Sequence, residues 1–492
     1  MKLGFIAMYC TIFFNFINAQ VHLGPGQTFS NIEPAVKAGV IHPGDTVYLH
    51  KGSYAGYQLI SFLKGSPGNW IVIRRFENDL IDISGGWQFV SCEYIKFELL
   101  NFKANVKYPA RLFSVDNGGS CFTQSNNIKV DSCYFSNVTD ASAIAAFKFG
   151  GVDNFEVTNN VFRDFPVCSA MDFNVCHDGI ISGNLIVNCL TGGHIKGGAS
   201  NITMQRNIFM NASKAPWVAF ELGGDTGAQF YCVNDSFEVK NLKFYSNLVI
   251  GGYRGVSLSS ATDCKIVNNT FYNCSQATLR FLTTSVLYPK LFRNRVENNI
   301  FAFGSSAYFN GSIQTTGSVT FLKNIYYSIF NASFNGPYWD TPDLDAIKDR
   351  NPMNFGSNSP MFKDTSNFDF TLKAGSPAIA NAANVAEPVY DFYGNPFSVS
   401  ARSIGAIEYG GVVNTDSHLV SGTNFKIQIY PNPSQDYIFV TQTSKESFFE
   451  IFSFAGVKVL DGTTNQIIQI SNLASGIYYL KLNSQVFKLF KL

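Results

Sequence analysis

The middle of the chain repeats a pattern in which apolar and polar residues alternate, an asparagine follows, and an apolar pair comes next. Examples are NFEVTNNVF from Asn154, DGIISGNLI from Asp178 and NITMQRNIF from Asn201. Alternation with a period of two predicts β-strands, and a spacing of about 23 residues with occasional insertions predicts a β-solenoid with one coil per repeat. Successive gaps are 24, 23, 40, 22, 30 and 25 residues, and the asparagines are Asn160, Asn184, Asn207, Asn247, Asn269, Asn299 and Asn324.

One coil of this length cannot bury its own apolar face, so neighbouring coils are expected to stack at about 4.8 Å and to share a continuous core. A column of asparagines at one corner would hydrogen-bond its amides along the stack, which makes their role structural. Weaker repeats begin at Cys92 and Asn126. The solenoid is therefore predicted to span at least residues 85–330, and the predicted fold class is all-β.

Both ends of the solenoid need a cover, because an end coil would otherwise expose an unpaired apolar face. The segment GPGQTFSNIEPAVKAGVIHPGDTVYLHKGSY from Gly24 is similar to the opening of many secreted right-handed parallel β-helix proteins, where a short helix caps the end before a Pro-Gly-Asp turn and the first strand. SPAIANA, DFYGNP and IGAIEY, within residues 376–409, resemble the closing segment of the same proteins. The resemblance implies a right-handed parallel β-helix over residues 20–410, with residues 331–410 as final coils and C-terminal cap.

The last part of the chain is a separate module. Residues 411–424 are polar and without pattern, as in a linker, and residues 425–492 hold alternating strands that predict a small β-sandwich. YPNP from Tyr430, LASGIY from Leu473 and a Lys-rich, apolar last strand resemble the C-terminal sorting domain of the type IX secretion system of Bacteroidetes. The resemblance implies export by that machinery, removal of the tail, and release or attachment to the cell surface. A carbohydrate-binding or adhesion module of similar shape is the alternative.

The N-terminus has the pattern of a signal peptide over residues 1–19. Lys2 precedes an almost wholly apolar run from Leu3 to Phe16, and Ala19 offers a small residue before a cut. The run is short for a membrane anchor and no later stretch reaches spanning length, so no transmembrane segment is expected in the mature chain. A formal net charge of +1 gives no broad field for nucleic acid.

The chain has ten cysteines, of which Cys10 would leave with the signal peptide. The spacing of the other nine resembles no zinc-binding pattern. Disulfides are permitted outside the cell, but several of these cysteines fall at repeat positions that should face the packed interior. Most are therefore expected to be buried free thiols, and Cys168 and Cys176 form the first pair to test for a disulfide.

A second short strand follows each asparagine corner, and its large apolar residues alternate with charged or hydroxyl-bearing ones. If the apolar residues point inward, the others form one outward face. Because only 14% of the residues are charged, this concentration indicates a binding groove, with a merely solvated face as the alternative. The outward set is Ser114, Asp116, Lys148, Asp172, Asn174, His194, Lys196, Glu221, Ser257, Ser259, Thr278 and Arg280.

The outward set suits a polysaccharide lyase acting on a uronic acid. His194 or Lys196 would remove the C5 proton, and Lys148 or Arg280 would meet the substrate carboxylate. Asp116, Asn174 and Ser259 are further substrate-binding candidates. Ca²⁺ is a possible cofactor, held by the oxygens of Asp172 and Glu221.

A glycoside hydrolase is the other enzyme that the set supports. Asp172 and Glu221 lie two coils apart, which puts their backbones about 9–10 Å from each other, near the separation of inverting carboxyl groups. A non-catalytic glycan-binding or adhesive surface protein would use the same groove without acid–base partners. The residues leave these possibilities open.

The stretch HIKGGASNITMQRNIFMNA from His194 resembles the alginate-lyase and chondroitinase-B group of the pectate-lyase-like superfamily. Lys196 matches the lysine of that group. The arginine expected on the next strand is absent, because Glu221 occupies the outward position there, and Arg280 is three coils away. The acidic calcium motif of the group is also missing from its expected place. The resemblance therefore implies a fold and a carbohydrate-active role, and it carries over only part of the catalytic set.

Lys196 is expected at the centre of the site, between outward Asp172 on one coil and Glu221 on the next. Two carboxylates about 5 Å to either side would favour its charged form, which suits binding of a substrate carboxylate. His194, on the same strand and face, is then the better general base near neutral pH. The 40-residue gap inserts a loop beside this site, in which Phe230 and Tyr231 are either sugar-stacking rings or parts of a plain loop.

Overall fold

A computed structural model gives the structure of the protein over these residues: 19–77, 79, 81–104, 111–121, 123–138, 144–211, 218–232, 237–283, 285, 290–304, 308–311, 319–334, 336, 338–339, 359–365, 368–411, 429–430, 437–440, 447–454, 456–464, 467–474, 476–482 and 485–491. Apart from Ala19, the predicted signal peptide lies outside them. Apart from Gly411, so does the predicted linker.

The body is a parallel β-solenoid, as predicted, and each regular coil contributes strands to three faces. The first face is a 14-stranded parallel sheet. Its strands are Gln20–Leu23, Thr46–Leu49, Ile71–Arg75, Glu93–Glu98, Ser125–Asp131, Val152–Thr158, His177–Ser182, Ala199–Gln205, Val239–Lys240, Lys243–Tyr245, Ala261–Thr262, Lys265–Val267, Asn294–Glu297 and Val319–Leu322.

The other two faces belong to one 20-stranded sheet, because Val161–Asn174 and Leu185–Lys196 bend through both. The face after the asparagine corner also holds Gly52–Tyr54, Ile81–Ile83, Asn101–Lys103, Tyr134–Ser136, Ile208–Met210, Leu248–Ile250, Thr270–Tyr272, Ile300–Phe303 and Ile325–Ser328. The remaining face, called the groove face below, also holds Gln58–Ser61, Trp87–Val90, Phe113–Asp116, Ala145–Gly150, Phe220–Gly223, Val256–Ser259, Ala277–Leu282, Tyr308–Gly311 and Tyr338–Trp339.

The seven asparagines form one buried column, which confirms the prediction. Oδ1 of Asn184 accepts hydrogen bonds from the backbone N and the Nδ2 of Asn160, at 2.9 and 3.0 Å. The same pair of bonds recurs at every step to Asn324. The residue before each asparagine turns the corner in the left-handed region, as Asn159 does at φ 56°. The column thus satisfies the backbone groups that the corner takes out of the sheets.

Stacked phenylalanines fill the interior behind this corner. The rings of Phe102 and Phe135 are 4.9 Å apart and nearly parallel, and Phe135 and Phe162 repeat the arrangement at 4.8 Å. These separations match the spacing of adjacent strands. Each buried ring contributes about 1.5–3 kcal/mol by leaving water, so the aromatic stack stabilises the coil register.

The N-terminal cap contains the predicted helix, Ile32–Lys37, with Asn31 as its N-cap. Glu33 of this helix accepts a hydrogen bond from the backbone N of Leu59 at 3.3 Å, which satisfies a donor on the first strand of the groove face. One detail differs from the expectation. Gln20–Leu23 precedes the helix and already pairs in parallel with Thr46–Leu49, so the sheet begins before the cap.

The segment predicted to close the far end lies instead along the side of the body. After an antiparallel hairpin of Phe362–Asp364 and Asp369–Leu372, the chain runs beside the asparagine corner. Nδ2 of Asn268 donates to the backbone oxygens of Ser403 and Gly405 at 3.0 and 2.9 Å. The sequence resemblance identified this segment as a cap but could not show where it packs. Its position depends on contacts with residues that are far away in the chain.

The tail is a β-sandwich, as predicted. Ile438 and Ile468 of the smaller sheet share a core with Ile451 and Leu480 of the larger one. The three-stranded sheet contains Ile429–Tyr430, Tyr437–Val440 and Ile467–Gln469, and the four-stranded sheet contains Lys458–Thr464, Ser447–Ser453, Gly476–Leu482 and Gln485–Lys491.

The tail also packs against the body, a contact that the sequence did not predict. Tyr479 joins a buried cluster with Val187 and Ile208 of the asparagine-corner face. Nη2 of Arg163 donates to the backbone oxygen of Gly456 at 2.7 Å, and the Arg163 guanidinium lies over the ring of Phe452 at 4.7 Å. Body and tail therefore share an apolar interface with cation–aromatic contacts, which also include Lys481 over Tyr134 and Lys488 over Phe392.

Candidate active site

The parallel register brings the central part of the outward set into one column on the groove face. Each member lies directly opposite the next on neighbouring strands. The alternating apolar neighbours, such as Met171, Ile195 and Leu222, are buried in the core, so the predicted inward and outward alternation holds. The order of the column is Ser114, Lys148, Asp172, His194, Glu221, Ser257 and Arg280.

Asp172 lies at the centre of an ion-pair row. Its Oδ2 is 2.6 Å from Nζ of Lys148, and its Oδ1 is 2.9 Å from Nε2 of His194. Burial by itself would raise the pKa of Asp172, but the interactions with His194 and Lys148 outweigh it and hold the pKa well below its usual range. Asp172 is only 3% exposed. The Asp172 carboxylate is therefore ionised, and it orients the His194 imidazole from the adjacent strand.

Glu221 lies directly opposite His194 on the other side. Burial raises the pKa of the Glu221 carboxyl, while the charges of His194, Arg280 and Lys196 act in the opposite direction. Asp172 and Glu221 thus lie two strands apart, as predicted, in environments that move their pKa values in opposite directions. Two carboxyl groups whose pKa values are moved apart in this way typically have different acid–base roles.

Lys196 does not lie between the two carboxylates, so that expectation was wrong. It lies opposite Asn174, one column to the side, and His194 takes the position between Asp172 and Glu221. Because Lys196 follows His194 by two residues on the same strand, its side chain lies on the same face of the sheet as that of His194. A Cβ built on Gly224 would come within 3.2 Å of the Lys196 side chain, so the absence of a side chain at Gly224 leaves the room that Lys196 occupies.

The other candidates are distributed along the face. Arg280 and Asn174 are partly buried, and Asp116 accepts hydrogen bonds from Gln88 Nε2 at 2.6 Å and Gly118 N at 2.9 Å. Ser259, expected to meet substrate, is fully buried. Its Oγ is 3.5 Å from the backbone oxygen of Gly224, so it contacts the turn rather than the open groove.

Asp172 and Glu221 do not fit the predicted Ca²⁺ site. Both oxygens of Asp172 face nitrogen atoms, of Lys148 and of His194, and His194 separates the two carboxylates. Across the part of the chain that the structure describes, no group of three or more His, Cys, Asp or Glu side chains is arranged to hold a metal ion.

The inserted loop forms a wall beside the groove face, and a disulfide fixes it there. Cys232 of the loop is bonded to Cys121, which follows the strand Phe113–Asp116. Three strands of the groove face lie between that strand and Phe220–Gly223, from which the loop departs. The loop therefore passes the ends of the strands that carry Lys148, Asp172 and His194. Phe230 in its short 3₁₀ turn is 56% exposed.

The Cys121–Cys232 bond was not predicted. The pair chosen first, Cys168 and Cys176, consists of two buried free thiols, so that choice was wrong. The broader expectation is confirmed, because seven cysteines are free and buried. The only sequence signal for the correct pair was that Cys232 falls in the insertion rather than at a repeat position.

Glu238 is a second residue that sequence reasoning missed. Its fully buried carboxylate accepts hydrogen bonds from Gly197 N at 3.0 Å, Thr226 N at 2.8 Å and Ser285 Oγ at 3.0 Å. Burial would raise the pKa of Glu238, but hydrogen bonds from Tyr231, Gly197 and Thr226 outweigh it and lower the pKa. Because Gly197 follows Lys196 directly, Glu238 fixes both the inserted loop and the turn that positions Lys196.

Comparisons with solved structures found several similar chains at low sequence identity. A pectate lyase, Pel9A, is 12% identical, with a TM-score of 0.44, and the match covers 80% of this chain and 98% of that chain. The A-module of the Azotobacter vinelandii mannuronan C-5 epimerase AlgE4 is 13% identical, with a TM-score of 0.41, covering 66% of this chain and 93% of that chain. No curated protein matches the sequence.

Two family models match separate parts of the chain. Residues 149–335 match the right-handed β-helix region, and residues 428–491 match the secretion system C-terminal sorting domain. Among the residues with described structure, no helix has the length and apolar character needed to cross a membrane. The predictions of a β-helix body and a sorting tail are confirmed.

Proposed function

We propose that this right-handed β-helix protein, which its sorting tail directs through the type IX secretion system to the cell surface or the extracellular space, cleaves a uronic-acid-containing polysaccharide by β-elimination. The observation that carries the proposal is the position of His194 between ionised Asp172 and Glu221, whose pKa is raised by burial. This order places a general base and a general acid on adjacent strands.

His194 is the proposed base. With Nε2 2.9 Å from Oδ1 of Asp172, the neutral imidazole is proposed to carry its proton on Nε2 and to leave the Nδ1 lone pair for the substrate. Nδ1 removes the C5 proton, the C5–H electrons form the C4–C5 double bond, and the bond from C4 to the leaving oxygen breaks. The buried Asp172 carboxylate stabilises the imidazolium that results.

Glu221 is the proposed acid. A pKa raised by burial favours a protonated carboxyl group, which can donate its proton to the leaving oxygen. Lys196 and Arg280 both exert their charge on Glu221, so they are close enough to meet a substrate carboxylate beside it. Neutralising that carboxylate makes the C5 proton easier to remove.

The same contacts disfavour hydrolysis. An inverting or retaining hydrolase needs an accessible carboxylate to activate water or to attack the sugar. Asp172 is 3% exposed and both of its oxygens face Lys148 or His194. It is therefore proposed as a positioning residue rather than a nucleophile or base.

The full chain should be incubated with alginate, polygalacturonate, chondroitin sulfate and a neutral glucan. Ultraviolet absorbance of new unsaturated ends and reducing sugar should both rise on a uronic-acid polymer, and the His194→Ala variant should produce neither. Reducing sugar without unsaturated ends would replace the proposal with hydrolysis. Binding without either product would replace it with a glycan-binding protein.

A further inference from the structure

The outward column continues past Ser114 to the N-terminal end of the groove face. Ser114 lies opposite Gln88, and Gln88 lies opposite Leu59 on the strand Gln58–Ser61. Leu59 is therefore five strands from His194, about 24 Å at the usual strand spacing. Its side chain is 44% exposed, at the position that Gln88 and Ser114 occupy on the next two strands.

Two aromatic side chains are exposed at the same place. Tyr57 precedes this strand, and its hydroxyl contacts Oε1 of Gln88 on the outward column. Phe62 follows the strand in a left-handed turn and is 67% exposed. Single exposed apolar residues are ordinary on protein surfaces, but here three share one end of one face. Tyr57, Leu59 and Phe62 are called the aromatic platform.

The polar neighbours of the aromatic platform differ from those of the His194 site. Gln88 donates to Asp116 at 2.6 Å, which offers amide and carboxylate groups to sugar hydroxyls. The charges of Asp116, Arg111 and Glu33 all act on Tyr57, so the surroundings carry no excess of positive charge. Two of these three charges are carboxylates, which disfavours a sugar carboxylate, whereas the apolar face of an uncharged ring can cover the exposed aromatic side chains.

We infer that the aromatic platform binds an uncharged sugar ring of the same polysaccharide chain whose uronic acid lies at His194. The inference rests on the proposed function, because it takes the outward column as one continuous groove. It predicts that affinity depends on chain length: only a substrate long enough to span five strands reaches both ends.

The test compares an octasaccharide with a disaccharide, both prepared from unsulfated chondroitin, in which a uronic acid alternates with an uncharged N-acetyl sugar. Tyr57→Ala should weaken binding of the octasaccharide roughly 3–10-fold, as expected for one aromatic contact, and leave the disaccharide unchanged. Tyr57→Phe should bind like the wild type because it keeps the ring. Phe292→Ala is the matched control, since Phe292 is 45% exposed and bridges to a strand of the first face.

Two failures are distinguishable. If the wild type binds the octasaccharide but Tyr57→Ala binds both fragments as the wild type does, or weakens both equally, the aromatic platform is overturned and the proposed function stands. If the wild type cleaves a uronic-acid polymer of the panel but does not bind the octasaccharide, the aromatic platform alone is overturned. If it binds neither the octasaccharide nor any polymer of the panel, both the proposed function and the platform are overturned. Melting temperatures of all variants, measured alongside, should match the wild type.

Discussion

Nε2 of His194 lies 2.9 Å from Oδ1 of Asp172, and these residues occupy directly opposed positions on adjacent parallel strands. A carboxylate that is 3% exposed and still ionised is stabilised by its interactions with His194 and Lys148. The pair therefore fixes the direction of the imidazole without depending on flexible loops, because both side chains project from the sheet.

His194→Ala should lower turnover by about 10²–10⁴-fold, as expected for loss of a general base, with little change in melting temperature. The chain offers a close control in His177, whose Nδ1 is 2.7 Å from Asp153 on the first face and whose exposure, 20%, is close to the 22% of His194. His177→Ala should keep full activity. Equal activity of both variants would exclude His194 as the base.

Lys196→Ala should raise KM for a uronic-acid polymer by roughly tenfold or more, because an unpaired substrate carboxylate loses a charge-assisted contact worth about 1.5–3 kcal/mol. The melting temperature should stay nearly constant, and Lys196→Arg should restore part of the affinity. Lys129→Ala, which removes an ion pair with Glu156 on the first face, is the control. Wild-type kinetics in Lys196→Ala would mean that this lysine belongs to a solvated surface.

Glu221→Gln should remove one ionisation from the pH profile of kcat/KM. Burial raises the pKa of Glu221, so the protonated form needed for catalysis is lost as pH rises through that folded pKa, and wild-type activity should fall there. The same sign applies to stability: the favourable contribution is present below the ordinary glutamate pKa and disappears as pH rises through the raised one.

Glu297→Gln provides the comparison for this pH profile. Burial also raises the pKa of Glu297, but this residue lies on the first face, away from the groove. The Glu297→Gln variant should keep the fall in kcat/KM that the wild type shows on the alkaline side of its pH profile. If Glu221→Gln also keeps this alkaline fall in kcat/KM, another group is the acid.

Replacing Cys121 and Cys232 together by serine should reduce the free energy of unfolding by roughly 2–5 kcal/mol, because the bond closes a loop with a sequence separation of 111 residues. Adding a thiol reductant should lower the free energy of unfolding of the wild type and leave that of the double variant unchanged. Thiol titration of the denatured, unreduced mature protein should count seven free cysteines. A count of nine would show that the loop wall is not cross-linked.

Arg163→Ala should loosen the tail on the body, because it removes the bond to Gly456 and the contact with Phe452. Limited proteolysis should release the tail faster from this variant than from the wild type. Arg293→Ala, at an exposed arginine paired with Asp263 on the body, should digest like the wild type. Catalysis should be unaffected in both, and a tail released at the same rate from all three would contradict the interface.

The sequence by itself determined the solenoid, the asparagine column and the outward direction of the central groove-face residues, although Ser259 is buried. These features follow from short-range rules: alternation with period two assigns each side chain to a face, and a repeat of about one coil aligns equivalent positions. The sorting tail was likewise recognisable, because its strands and turns are local in sequence.

Only the tertiary structure decided which outward residues become neighbours. His194 rather than Lys196 lies between Asp172 and Glu221, because strand register depends on how each coil closes, and the coils differ in length. The same kind of long-range packing determines three other features: the Cys121–Cys232 bond, the position of the segment near Ser403, and the contact of the tail with Arg163. Periodicity fixes the direction of a side chain, whereas its partners are fixed by contacts between residues far apart in the chain.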